Sequence, residues 1–304
     1  MFPHLYKAAD GSFAMPTYGA LLVLAFAVGA TVGFYRMRKV GIHPDILPGL
    51  ILLAIGLGIL GARLLHFVGA ETQRFFRNPL VLFNFGTGGM AVYGGVIAAS
   101  IGCFFWAKRK KVNPWKLSDA LLPCFFLSLA VGRIACFAAG CCHGAAIPNA
   151  SNPHSLTGDF FPGGSVVGLN EAPFIAFVYN PGVGVGRLTD VACYPTQIWE
   201  SLGALTLFFV LSWTWSKRRF FDGQIVAIGM IAYPILRSSI EAFRGDSIRG
   251  VDHLGLFSTS QFVSVLVASC GVWIFLRRKS TELDPETAIE ESDAVVDLEI
   301  FDDL

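Results

Sequence analysis

Residues 47–68 read LPGLILLAIGLGILGARLLHFV. The run carries one formal charge, Arg63, and one further ionisable side chain, His66. A hydrocarbon core of about 30 Å needs roughly 20 apolar residues in helix. This stretch is therefore read as a membrane-crossing helix. Six more runs of the same kind lie around it, at about 17–35, 88–107, 117–138, 195–216, 223–243 and 256–276. Composition agrees: 54% of the 304 residues are hydrophobic and only 15% are charged, against about 25% charged in soluble domains. Mean hydropathy is +0.58. Disordered, collagenous and small disulfide-scaffold classes are excluded. The first run is too long for a cleavable leader and lacks a basic start and a small-residue cleavage site, so it is expected to be retained.

The expected fold is an all-α integral membrane protein. Residues 1–279 form a seven-helix membrane domain, with 145–194 as a small extracytoplasmic cap loop inside it. That loop is rich in Gly, Pro, Asn and Ser, and its apolar run 173–179 is expected to pair as a strand. Residues 280–304 hold ten of the 22 acidic residues and no Lys or Arg, and are read as a disordered acidic tail. The body then carries 23 basic against 12 acidic residues, +11. Its bases sit in short loops between apolar runs, which favours anionic membrane lipids over nucleic acid as partners. Fourteen bases fall in 36–39, 108–116, 217–219 and 277–279, and six in the opposite loops. By the positive-inside rule the N-terminus is outside and the tail cytoplasmic.

Ionisable groups inside spans are costly and face a bundle interior or cavity. Arg63, Arg133 and Arg237 each lie about five residues from the outer end of a run, roughly 8–9 Å deep at 1.5 Å per residue. Glu200 and Tyr93 fall at the same depth, with His66 and Glu241 nearer the rim. A guanidinium fork matches a phosphate or carboxylate, and at this depth the natural phosphate is a phospholipid headgroup. A plainer reading also stands: Arg237 and Glu241 are four apart and neutralise each other, and Arg63 snorkels to the surface.

Residues 132–144 read GRIACFAAGCCHG. They set Arg133, Cys136, Cys141, Cys142 and His143 where the fourth run meets the cap. A structural disulfide, with Cys193 as a candidate partner, a thiolate activated by Arg133 or His143, and a metal site all compete. Cys141 and Cys142 are adjacent, poor spacing for a tetrahedral metal site, so no metal is expected. Cys103, Cys124 and Cys270 read as small apolar residues.

Together these blocks resemble the prolipoprotein diacylglyceryl transferase family. The resemblance is carried by residues 16–19 with Tyr18, GARL at 61–64, GGMAVYGG at 88–95, Arg133 and Gly144 at the ends of the fourth-run signature, YPTQIWES at 194–201, and Tyr233, Arg237, Glu241 and Arg244 in the sixth run. It implies transfer of diacylglyceryl from phosphatidylglycerol to the lipobox cysteine of a prolipoprotein in the bacterial inner membrane, with release of glycerol phosphate and no cofactor. It also implies catalytic roles for Arg237 and Glu241; where the family has its histidine, either Tyr93 serves as a hydrogen-bond donor or His143 or His66 supplies the base. Substrate binding would fall to Arg133, Arg63, Tyr18, Tyr233, Glu200, Gly144, Cys136 and Cys141. The chain departs from the family where the chemistry lies. Tyr93 replaces a histidine, and Cys136 and Cys141 replace an asparagine and a glutamate. A relative serving another acceptor, and a membrane thiol-redox protein centred on Cys141 and Cys142, are the alternatives. A transporter is weaker, because no inverted repeat is visible.

Overall fold

The computed structural model describes residues 4–7, 14–83, 91–145, 154–155, 164–169, 172–179, 192–243 and 259–278. Arg187, Arg244, Arg249, His253, the acidic tail and much of the 145–194 loop lie outside the described residues. A hairpin of β1 (His4–Lys7) and β2 (Ala14–Pro16) leads into α1 (Thr17–Lys39). Then come α2 (Leu47–Ala70), the short α3 (Thr72–Arg77), α4 (Val92–Arg109) and α5 (Pro114–Ala139). Strands β3 (His154–Ser155), β4 (Gly164–Leu169), β5 (Ala172–Tyr179) and β6 (Ala192–Cys193) form an antiparallel sheet in that order. The chain continues through α6 (Thr196–Lys217), α7 (Gln224–Glu241) and α8 (Thr259–Arg278).

Each of the seven apolar runs contains most of one long helix. By length and composition four described segments can cross a membrane: Thr17–Lys39, Pro44–Val68, Pro114–Ala139 and Thr196–Lys217. The other three miss that measure for identifiable reasons. α4 ends on Lys108 and Arg109, and α7 carries Gln224, Arg237 and Glu241 within 18 residues. For α8, polar Thr259, Ser260 and Gln261 and basic Arg277 and Arg278 occupy the two ends. Large apolar side chains face outward, among them Leu52 at 74% exposure and Val23 at 70%. Apolar exposure on this scale is a surface for lipid, where helices satisfy their own backbone polar groups. The chain is a helical membrane protein.

The described residues divide into two compact units. In the unit 34–118, α2 and α4 meet backbone to backbone. A Cβ on Gly61 would collide with the Gly94 carbonyl and Ala98, and one on Gly94 with the Gly61 carbonyl. Small residues at such contacts let helices approach where no hydrophobic drive between them exists. Arg63, 1% exposed, spends its guanidinium within this unit. Nε donates to the Leu82 carbonyl and Nη2 to the Val81 carbonyl, both at 3.1 Å, while the group lies over the Phe67 ring. It neither snorkels nor points to solvent.

In the unit formed by 1–33 and 119–304, α5 packs on α1 and α7 through Gly29, Gly33 and Gly229. Helix α7 packs on α6 through Gly203 and on α8 through Gly271. Buried Asp119, at the head of α5, accepts from the Gly223 and Val226 amides at 2.7 and 3.0 Å. It thereby satisfies orphan donors at the start of α7. This anchor fixes where α7 begins, and so where Arg237 lies near its other end.

Candidate active site

Glu200, one turn into α6 and 1% exposed, is the centre of a buried polar network. Arg133 of α5 reaches its Oε1 through Nη2 at 2.7 Å, and Arg237 of α7 its Oε2 through Nη1 at 3.5 Å. The Tyr233 hydroxyl donates to Oε1 at 3.2 Å, and its ring packs on Phe126. Arg237 Nη2 also pairs with Glu241 Oε2 at 2.6 Å. Spacing of four along α7 puts Tyr233, Arg237 and Glu241 on one face. Three helices thus bring two guanidiniums and two carboxylates together. A buried pair is tolerable only when well matched, and here each arginine has an acid.

One donor is left over. Arg133 Nε is buried and has no hydrogen-bond partner among the described residues. A buried unsatisfied donor costs about 1–3 kcal/mol, more when charged, so it is a place where an anion would gain. The plain expectation that Arg237 and Glu241 pair is met. The pair is nevertheless part of a larger network through Glu200.

Beside Arg133, α5 ends in a Schellman motif. The Cys141 amide bonds the Cys136 carbonyl and the Gly140 amide the Phe137 carbonyl, both at 3.1 Å, with Gly140 at φ +67°. The following residue, Cys142, also has positive φ, +61°, an uncommon conformation for a side chain of this kind. The turn is pinned from α6: Thr196 Oγ1 donates to the Cys142 carbonyl at 3.1 Å and Gln197 Nε2 to the Cys141 carbonyl at 2.8 Å. Both fall in the block YPTQIWES at 194–201, but nothing in it says which carbonyls they meet. The three thiols of Cys136, Cys141 and Cys142 come within 4.8 Å of one another.

Gly144 closes the turn. Its amide bonds the Tyr194 carbonyl and the Ala145 amide the Phe243 carbonyl, each at 2.9 Å. A Cβ here would strike Tyr194, Thr196 and the Phe243 carbonyl, which explains the glycine. Phe243 meets Tyr194 and Trp199 edge to face beside it, and the Tyr194 and Trp199 rings are tilted against each other. His143 sets Nδ1 3.0 Å from the Gly144 carbonyl. A carbonyl only accepts, so in the neutral ring Nδ1 carries the proton and Nε2 keeps the basic lone pair.

All seven cysteines are thiols, so of the competing possibilities the disulfide with Cys193 does not form. Burial pushes the Cys193 thiol up to about 11, which suits a packing residue. Tyr18 of α1 lies in the electrostatic neighbourhood of Arg133 and the three clustered thiols. Arg63, His66 and Tyr93 belong to the 34–118 unit, where His66 Nε2 lies 3.8 Å from Glu71.

The prolipoprotein diacylglyceryl transferase family model matches residues 5–277. Among curated relatives, the phosphatidylglycerol–prolipoprotein diacylglyceryl transferase of Clostridium tetani is 29% identical over 258 residues, 85% of this chain and 91% of that protein. The protein of the same name from Finegoldia magna is 29% identical over 262 residues, 86% and 90% of the two chains. A third, numbered 2, from Clostridium perfringens is 29% identical over 259 residues, 85% and 89%. With one family description spanning nearly the whole length and relatives of one name aligned along most of theirs, this chain belongs to the prolipoprotein diacylglyceryl transferase family.

Proposed function

We propose that the protein transfers diacylglyceryl from phosphatidylglycerol to the lipobox cysteine of prolipoproteins, releasing glycerol phosphate. The relatives' shared name supports both substrates. The observation that carries the reading is Arg133: one arm is on Glu200 at 2.7 Å while buried Nε has no hydrogen-bond partner among the described residues. The leaving glycerol phosphate gains negative charge as its bond to diacylglycerol breaks. Guanidiniums already oriented in a low-dielectric site stabilise that charge without reorganising. Arg133 and Arg237 take the phosphate, and Glu200, Glu241 and Tyr233 hold them in place. Gly144 and Tyr18 shape the entrance beside Cys136 and Cys141, and Arg63 keeps the turn after α3 in place. His143, with Nε2 as the basic nitrogen, is the proton acceptor for the incoming thiol, and Tyr93 is a hydrogen-bond donor.

All seven long helices cross the bacterial inner membrane, with the N-terminus outside and the acidic tail cytoplasmic. The 145–194 loop caps the outer face and admits the peptide. The whole of 1–279 is the membrane domain. The apolar runs and the basic-residue bias support this arrangement.

Purified protein, phosphatidylglycerol vesicles and a lipobox peptide provide the test. Mass spectrometry should find a diacylglyceryl thioether on the peptide cysteine, reduced about 10²–10³-fold by Arg133→Ala. Full turnover in that variant would remove the role given to Arg133. The thiols at Cys136 and Cys141 favour as second reading a relative that serves another acceptor. Folded protein that leaves the lipobox peptide unmodified would select it.

A further inference from the structure

The thiols of Cys136, Cys141 and Cys142 belong to a built constellation. The Schellman turn stacks the residue after Gly140 onto the helix three positions before its last residue. It therefore brings Cys141 over Cys136 although they are five apart. Positive φ at Cys142 turns the third thiol back toward the other two. Such backbone strain persists where surroundings hold it, and here Thr196 and Gln197 hold both carbonyls. Adjacency of Cys141 and Cys142 in the sequence argues against a metal site only while the backbone between them is extended.

We infer that Cys136, Cys141 and Cys142 form a three-thiolate site for a thiophilic cation, Zn2+ or Cu+. Thiolate sulfur selects these ions over hard cations. With a metal–sulfur distance of about 2.3 Å, three ligands stand roughly 3.8–4.0 Å apart. The observed limit of 4.8 Å lies within an ångström of that. Three thiolates on Zn2+ leave one net negative charge, and the Arg133 guanidinium, which interacts electrostatically with Cys136 and Cys142, offsets it. Three protein ligands also leave a tetrahedral ion one open position.

Resting on the transferase reading, that position suits the acceptor's own sulfur. The S–H bond breaks, a metal–sulfur bond forms, and the proton passes to the same acceptor, His143 Nε2. Coordination deprotonates a thiol outright, which supplies the acceptor thiolate in a chain that lacks the family histidine at Tyr93.

The test uses full-length protein in detergent, reduced and freed of metal. It is titrated with Co2+ as optical probe, and with Zn2+ and Cu+ against a competing chelator. One equivalent of metal is expected, with thiolate-to-cobalt absorption in the near ultraviolet. Cys136→Ser, Cys141→Ser and Cys142→Ser should each weaken binding at least about tenfold, and Cys270→Ser should leave it unchanged. Folding of every variant is checked by its thermal transition. Folded, reduced wild type that binds none of the three ions overturns the proposal, as does binding that survives the folded Cys142→Ser variant. A lipobox peptide should perturb the cobalt spectrum, and its Cys→Ser counterpart should not. An unperturbed spectrum overturns the open-position step. A protein that binds metal but lacks transferase activity counts against the transferase reading alone.

Discussion

Glu200 holds two guanidiniums and a phenol with one carboxylate. Glu200→Gln keeps the shape but removes the charge, leaving Arg133 with no acid among its described contacts. Breaking a buried pair costs about 3–5 kcal/mol, so the thermal midpoint should fall clearly in detergent and turnover should drop with it. Glu241→Gln should cost less, because Arg237 keeps Glu200. Equal losses in the two variants, measured by thermal unfolding side by side, would remove Glu200 from the centre of the network. The main members of this network are legible in the sequence because a charge in an apolar run stands out, and Arg133, Glu200 and Arg237 fall at one depth. Thr196 and Gln197 are not legible. Uncharged polar residues at a helix start carry no pattern that says which carbonyl they will meet. The positive φ of Cys142 is equally hidden, since nothing in the pair Cys141–Cys142 announces a left-handed residue.

Between helices, closeness is set by what is missing from the side chain. A Cβ on Gly94 would meet the Gly61 carbonyl and Leu65, whereas one on Gly56 meets nothing within 4 Å. Gly94→Ala should therefore destabilise by about 1–3 kcal/mol through overpacking. Gly56→Ala, in the same helix pair, should be neutral or stabilising, since helix propensity favours alanine. Thermal transitions of both variants check the contrast, and a loss at Gly56 matching that at Gly94 would dismiss packing as the cause. The helices themselves are read readily from hydropathy, as the agreement of the runs with α1, α2 and α5 shows. Helix α7 is legible as apolar, and its start at Gln224 falls one residue inside the run 223–243, but what holds that start is not legible. Its amides at Gly223 and Val226 are satisfied by Asp119, more than a hundred positions earlier. Asp119 lies near the start of the fourth apolar run, where a reading of charges by depth passes it over, and nothing local names its partner. The anion layer proposed for Arg63 meets a similar limit. Depth along a helix is counted from sequence, while the direction of the guanidinium, here onto the Val81 and Leu82 carbonyls, is decided by a turn that no periodicity forecasts.

For the whole molecule, orientation decides whether the network can meet a lipobox thiol at all. Fourteen Lys and Arg lie in 36–39, 108–116, 217–219 and 277–279 and six in the alternate loops, and ten acids lie in 280–304. Acidic residues contribute little to orientation, so the tail should be a passenger. Green fluorescent protein fused after Leu304 should fluoresce, and alkaline phosphatase inserted in the 145–194 loop should be active. Both results should survive deletion of 280–304, with fluorescent protein then fused after Lys279. If the deletion reversed either reporter, the acids rather than the bases would be orienting the bundle. If both reporters were reversed in the intact chain, Arg133, Glu200 and Arg237 would lie near the cytoplasmic face. The clustered thiols at the end of α5 would lie there too, away from any peptide arriving from outside. The transfer reaction and the metal-held acceptor thiol both need the outer face, and both would then fail for one geometric reason.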